Sequence, residues 1–329
     1  MKIKQGYFTD SYFVKSRDAL IACGKKPNVT MQVFAKQRAI LCGVRETVRI
    51  LKKCLGSKSK VIVKALRDGE SIKPWETVMT LEGSYPEFAV YETIYLGILA
   101  HRTMVATNVH RAVKAAAGKP VLFFGARFEH YLMEEGDGYA ALIAGAEGVS
   151  TDAGGAWLGK TGIGTIPHAL IASFNGDTVA ACEAFARRFK SKMIALVDFQ
   201  NDCVRTSLEV ARKMGKRLAG VRLDTAENLV DKSVRGGEQG VSRELVRNVR
   251  KALDKEGYRW VKIVISGGFN EEKLKAFVRE KVPFDAVGIG SWFYHDRVDF
   301  TADIVRVNGQ PCAKVGRKYR PNPRLKRVI

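Results

Sequence analysis

From about Pro120 onward the chain repeats one rhythm, a short apolar run followed by an amphipathic helical stretch. The runs are VLFF (121–124), MIALVDF (193–199), GVRLD (220–224), KIVISGG (262–268) and FDAVGIG (284–290), and the stretches between them include TVAACEAFARRF, TSLEVARKMGKRL, SRELVRNVRKALDKEG and EEKLKAFVREK. Continuous apolar strands separated by helices require a parallel sheet buried under helices, an α/β architecture that is either doubly wound or a β/α barrel. Almost every run ends in glycine or polar residues: FGAR, VDFQND, VRLDT, ISGG and GIGS. A barrel gathers all such ends on one face, where active sites sit, whereas an open sheet concentrates them at one switch point. The strand ends therefore favour a barrel.

The first hundred residues have a different texture. VTMQVFAK and KVIVKALRDGESIKPWETVMTLEG are β-rich runs broken by turn signals, which predicts a mixed, largely antiparallel domain. A helix from about Glu87 carries the chain toward the barrel, and FTADIVRVNGQPCAK is strand-like again, with an Asn-Gly turn. The predicted organisation is a mixed α+β domain over 1–104, a β/α barrel over 105–295, and a C-terminal strand and basic tail, 296–329, that packs back on the first domain. A length of 329 residues suits two such units.

Composition narrows the setting. No 18-residue uncharged apolar run and no basic-then-apolar leader is present, so a soluble, cytoplasmic protein without a membrane partner is expected. The six cysteines are scattered without CxxC or zinc-ligand spacing and read as reduced packing residues; Cys203 as a nucleophile lacks a neighbouring histidine. A formal charge of +21 suits anionic partners. Most of the basic residues alternate with apolar ones along helices, and no nucleic-acid motif accompanies them, so nucleic acid is not the expected main ligand.

The stretch VKIVISGGFN ends an apolar strand on two bare glycines. A tight turn explains a lone pair, and so does close approach of backbone N–H groups to an anion. Gly267 and Gly268 with Gly288, Gly290 and Ser291 place two glycine-rich turns on neighbouring strands, the form of a phosphate cradle. Asp198, Asp202 and Asp224 follow strand ends, where they suit Mg²⁺ or ribose hydroxyls, or equally the cap of the next helix. Arg127 and Arg222 lie next to or inside apolar runs, and a buried guanidinium needs an anion or an acid. His168 opens a helix after the glycine-rich GKTGIGT, as a polar cap or as an acid, base or nucleophile.

Taken together, TDSYF (9–13), FFGARFEH, GVS (148–150), GTIPHALI, ALVDFQND, GVRLDT, VISGGFNEEKL, AVGIGS and CAKVGR resemble, in order, the motifs of the nicotinate phosphoribosyltransferase family. The resemblance implies transfer of phosphoribose from 5-phosphoribosyl 1-diphosphate to nicotinate, giving nicotinate mononucleotide and pyrophosphate in NAD synthesis or salvage. It implies an incomplete β/α barrel with an N-terminal mixed domain, in a homodimer or higher even oligomer whose subunits share active sites. Carried across by motif, Phe124 and a partner's Tyr12 sandwich the pyridine ring, with Ser150 and Thr165 also at the substrate. Arg127 and Arg222 face the anionic substrates, Asp198 and Asp224 the ribose and Mg²⁺, and Ser266, Gly267, Gly268, Gly288, Gly290 and Ser291 the 5-phosphate. His168 matches the position that some members phosphorylate from ATP, which leaves ATP open as a second cofactor.

Two positions depart from relatives or discriminate among them. Phe128 stands where members often carry a second arginine, and Ser150 stands where relatives acting on nicotinamide place an acid. Serine does not repel a carboxylate, which favours nicotinate. The rival enzyme is the decarboxylating quinolinate phosphoribosyltransferase, whose second substrate carboxylate calls for a denser cationic pocket. Rivals of other classes are a basic nucleic-acid-binding protein and a barrel that has lost its chemistry.

Overall fold

The computed structural model describes residues 2–329 and divides into two compact units, one formed by residues 109–293 and the other by 2–108 with 294–329. The division falls within the long helix Glu92–Ala115.

The unit 109–293 is built on six parallel strands, in the sheet order Gly148–Val149, Val121–Phe123, Ala286–Ile289, Lys262–Ile265, Leu218–Leu223, Met193–Leu196. The two outer strands do not pair with each other among the described residues, so the barrel is incomplete. Five of the six strands are the apolar runs of the sequence; the sixth, Gly148–Val149, is too short to read as one.

Helices cover the sheet for local reasons. Cys203–Met214 buries Cys203, Thr206, Ser207, Val210, Ala211 and Met214, the spacing of one helical face, and packs against Thr178–Arg188 and Arg243–Lys255. Asp202 caps it, accepting a hydrogen bond from the Arg205 N–H; of the two roles open to this residue, the structure shows the cap. Asp177 caps Thr178–Arg188, Ser242 caps Arg243–Lys255 and Asn270 caps Glu271–Arg279 in the same manner.

The other unit holds a six-stranded antiparallel sheet in the order Gln310–Pro311, Phe300–Val307, Asn28–Ala35, Thr77–Ser84, Ile62–Ala65, Lys326–Arg327. The C-terminal segment supplies three of these strands, so it does return to the N-terminal domain. Asn308 and Gly309, both at positive φ, make the two-residue hairpin turn that the Asn-Gly pair predicts. The basic tail is tied to the sheet by Gln32, which donates to the Lys318 carbonyl and accepts from the Arg320 N–H, and by Thr77, which donates to the Arg320 carbonyl. Phe88, Tyr95, Leu51, Met79 and Leu81 are among the fully buried residues of its core.

The helix expected from Glu87 is interrupted. A short helix Tyr85–Phe88 and a 3-10 turn Ala89–Tyr91 precede Glu92–Ala115. Residues 88–91 are all buried, which one face of a continuous helix does not achieve. Two further helices, Ser11–Ala22 and Val44–Leu55, were not foreseen as elements. Among the described residues, no helix is long and apolar enough to cross a membrane.

Glu92 is nearly buried in the first turn of its helix, and burial, with Asp303 and Asp10 nearby, pushes its carboxyl up to about 7. A raised carboxyl stabilises the fold in its protonated form, fully below the ordinary value of 4.5, and that contribution is lost as pH rises through about 7. Glu92→Gln stays neutral. Its stability relative to the parent should increase by about 3 kcal/mol between pH 4 and pH 8 in denaturant titrations.

Candidate functional site

Strand ends converge on a cavity of about 600 Å³, within the range of small-molecule sites. Twelve of the residues singled out in the sequence line it: Phe124, Arg127, Ser150, Thr165, Arg222, Asp224, Ser266, Gly267, Gly268, Gly288, Gly290 and Ser291. They come from five different strand ends, which is why only the folded sheet assembles them.

Arg222 organises the floor. Its Nε donates to Ser266 Oγ at 2.7 Å, its Nη1 to Thr165 Oγ1 at 3.3 Å, and its Nη2 lies 3.1 Å from Asp224 Oδ2. Ser266 Oγ donates to Asp224 Oδ1 at 2.6 Å, so arginine, serine and aspartate close a ring of polar contacts. The Arg222 guanidinium also lies 5.0 Å from the centre of the Phe124 ring, a cation–π contact. Lining atoms are therefore held before any ligand arrives.

The glycines serve two ends. Gly267 and Gly268 both adopt positive φ, +80° and +62°, and their N–H groups have no hydrogen-bond partner among the described residues. Two free donors on a left-handed turn form an anion-binding concavity. Gly288 and Gly290 have ordinary φ; a Cβ at either would collide with an aromatic ring, Phe124 over Gly288 and Phe128 over Gly290. The first pair answers a conformational need and the second a steric one.

His168 and Asp198 are outside the lining and pair with each other, His168 Nε2 lying 3.0 Å from Asp198 Oδ2. Burial raises the Asp198 carboxyl; His168 opposes that shift and the charge of Asp224 adds to it. Asp198 Oδ1 is buried without a hydrogen-bond partner. Tyr12 belongs to the other unit and is 58% exposed there. Cys203 is fully buried beside Thr225 and Asp231, and burial drives its thiol far up, so it is a packing residue.

Sequence reasoning missed Glu227, Ile163 and Phe269 in the lining. Glu227 lies three residues beyond Asp224 in an irregular loop, and its carboxylate rests on Gly268. No spacing rule marks a residue that arrives through a loop. Phe128, seen in the sequence only as a departure from relatives, forms a wall of the cavity with Arg127 stacked 5.4 Å from its ring centre.

The comparisons with known proteins agree with this geometry. Residues 10–103 match the family described as quinolinate phosphoribosyl transferase, N-terminal domain. A nicotinate phosphoribosyltransferase of Mycobacterium tuberculosis is 31% identical over 237 residues, covering 69% of this chain and 47% of the relative. A solved structure from Pyrococcus furiosus, described as nicotinate-nucleotide pyrophosphorylase, is 35% identical, with a TM-score of 0.85 over 96% of this chain and 79% of that one. The chain belongs to the nicotinate phosphoribosyltransferase family. Human nicotinic acid phosphoribosyltransferase, at 20% identity and a TM-score of 0.75, shares the fold of this family member. The chain spans about half the length of the curated relatives it matches.

Gly268→Ala tests the turn. A Cβ at positive φ costs about 1–2 kcal/mol and here also meets the Glu227 carboxylate. Thermal unfolding should show that loss, and inorganic phosphate titrated by calorimetry should bind at least about tenfold more weakly, the equivalent of 1.4 kcal/mol.

Proposed function

We propose that the protein transfers phosphoribose from 5-phosphoribosyl 1-diphosphate to the ring nitrogen of nicotinate, releasing pyrophosphate and forming nicotinate mononucleotide for NAD synthesis in the cytoplasm. The observation that carries this reading is the charge balance of the cavity. Its lining holds Arg127, Arg222, Asp224 and Glu227, and Arg222 is already engaged by Asp224. Arg127 is the lining cation without an acidic partner among the described residues. One free guanidinium beside aromatic walls suits a flat ring with a single carboxylate. A dicarboxylate such as quinolinate would call for more, which places that base second.

Phe124 takes one face of the pyridine ring, with offset stacking adding about 0.5–1.5 kcal/mol to area burial. Ser150, neutral at the cavity wall, accepts the neighbourhood of the carboxylate without repulsion. The free N–H groups of Gly267 and Gly268 receive the 5-phosphate, and Asp224, fixed by Ser266 and Arg222, meets the ribose hydroxyls. Bond breaking at the anomeric carbon develops positive charge, so positioning and a fixed carboxylate field contribute most of the rate.

The donor set fits Mg²⁺ held partly through substrate. Asp198 and Asp224 are close enough to act on each other's charge, and Asp198 has an unused buried oxygen, but no group of three protein ligands occurs among the described residues. Bound there, Mg²⁺ would neutralise charge on departing pyrophosphate. His168 is exposed and held by Asp198, and in the ATP-coupled form of this reading it is the residue that takes phosphate from ATP. Exposed Tyr131, Leu132 and Phe128 on one unit and Tyr7, Phe8 and Tyr12 on the other support a homodimer or higher even oligomer, with Tyr12 supplied to a partner's Phe124.

The test is pyrophosphate release with 5-phosphoribosyl 1-diphosphate and Mg²⁺, offering nicotinate, nicotinamide or quinolinate, each with and without ATP. Release with nicotinate is expected, and Arg127→Ala should raise its KM by roughly tenfold or more, as loss of a charged hydrogen bond does. Release with quinolinate alone would move the reaction to the sister chemistry. Silence with all three bases would overturn the enzyme reading.

A further inference from the structure

The cavity does not account for the chain's charge. Its lining is balanced, two arginines against two carboxylates, whereas the chain as a whole carries +21. The excess sits mainly elsewhere. The unit formed by residues 1–108 and 294–329 has 27 Lys and Arg against 12 Asp and Glu, a net +15, and the cavity-bearing unit has 28 against 22, a net +6. Asymmetry of that kind points to a polyanion rather than to a small substrate.

Part of the surplus lies along one ridge, which also carries Glu87, whose carboxylate accepts from Ser59 Oγ at 2.7 Å between Lys58 and Lys60. The helix Val44–Leu55 ends with Lys52 and Lys53, the turn after it carries Lys58 and Lys60, and the strand Ile62–Ala65 carries Lys64, all exposed. Lys4 joins them, since it and Lys53 both act on the Cys54 thiol. The edge strand Lys326–Arg327 then sets Arg327 directly opposite Lys64 and adds Lys326 beside it. Like charges facing each other across a strand pair, about 5 Å apart, are destabilising unless an acceptor offsets them, and the Ile329 oxygen that accepts from Arg327 Nε at 3.0 Å offsets only one of the two. None of these lysines forms an ion pair with an acid among the described residues, although Arg17, Arg102, Arg317 and Arg324 of the same unit all do. Cations in the last helical turn account for Lys52 and Lys53 through the helix dipole. That effect does not reach Lys58, Lys60, Lys64, Lys326 or Arg327.

We infer that this ridge, none of whose residues lines the cavity, is a docking surface for the phosphodiester backbone of a nucleic acid. Lysines along a turn and a strand edge match a row of phosphates without reading bases, so binding is independent of sequence and depends on salt. A flexible single strand can follow such a row of cations more readily than a stiff duplex, so a single strand is the occupant expected.

The experiment is fluorescence anisotropy of the full chain with a labelled 20-nucleotide RNA of mixed sequence. Affinity should fall roughly 50-fold between 50 and 200 mM salt, the weakening expected from about four phosphate contacts on a single strand. Because any strongly basic chain attracts RNA weakly, the decisive comparison is between two charge-matched variants. Lys58→Glu with Lys60→Glu and Lys64→Glu removes the ridge; Lys251→Glu with Lys255→Glu and Lys281→Glu removes the same charge from the other unit. Ridge loss should weaken binding at least tenfold more than the control, with pyrophosphate release unchanged in both. Equal weakening by the two, or tight binding only to phosphatidylserine vesicles, would overturn the inference. Should the Glu triple fail to fold, Lys58→Gln, Lys60→Gln and Lys64→Gln make the same comparison with less repulsion.

Discussion

A guanidinium inside a parallel strand is the constraint around which the cavity is arranged. Arg222 sits between Val221 and Leu223, both fully buried, in a sheet whose other strands are nearly all apolar. Burying that charge alone would cost several kcal/mol, so the fold must bring partners to it. They come from three separate strand ends: Asp224 from its own, Ser266 from the next strand, and Thr165 from the loop beyond Gly148–Val149. Satisfying one arginine therefore fixes the relative heights of three loops, and the glycine turns beside them inherit that positioning.

The same arrangement separates two kinds of charge. Arg222 and Asp224 largely cancel, and Arg127, stacked on Phe128, keeps its donors available. A pocket with one spent and one available guanidinium can be rigid and still attract an anion. The His168–Asp198 pair stands apart from both, joined to the cavity through the mutual repulsion of Asp198 and Asp224.

The barrel was legible because its code is local and periodic. Apolar strands, helical stripes and Asp, Ser or Asn caps lie within a few residues of one another, and the glycine doublets mark the strand ends. Arg222 was legible for the opposite reason, as a charge in an apolar run. What escaped depended on distant partners. Ser11–Ala22 buries none of its residues and so has no apolar stripe to read. Glu227 reaches the site through a loop of no regular period, and the steric purpose of Gly288 and Gly290 exists only once Phe124 and Phe128 are placed over them.

Val44–Leu55 was hidden in a way that has its own consequence. Its N-terminus follows Gly43, which has no side chain to cap it, and the cap is supplied by Asp68, whose two oxygens accept from the Val44 and Arg45 N–H groups at 2.8 and 3.1 Å. The residue that completes the first turn of this helix lies more than twenty positions downstream, in the loop after the strand Ile62–Ala65. Leaving those first donors uncapped costs about 1 kcal/mol, so the helix draws part of its stability from a loop outside its own sequence. The two are thereby coupled, and whatever loosens the loop after Ile62–Ala65 frays the start of the helix.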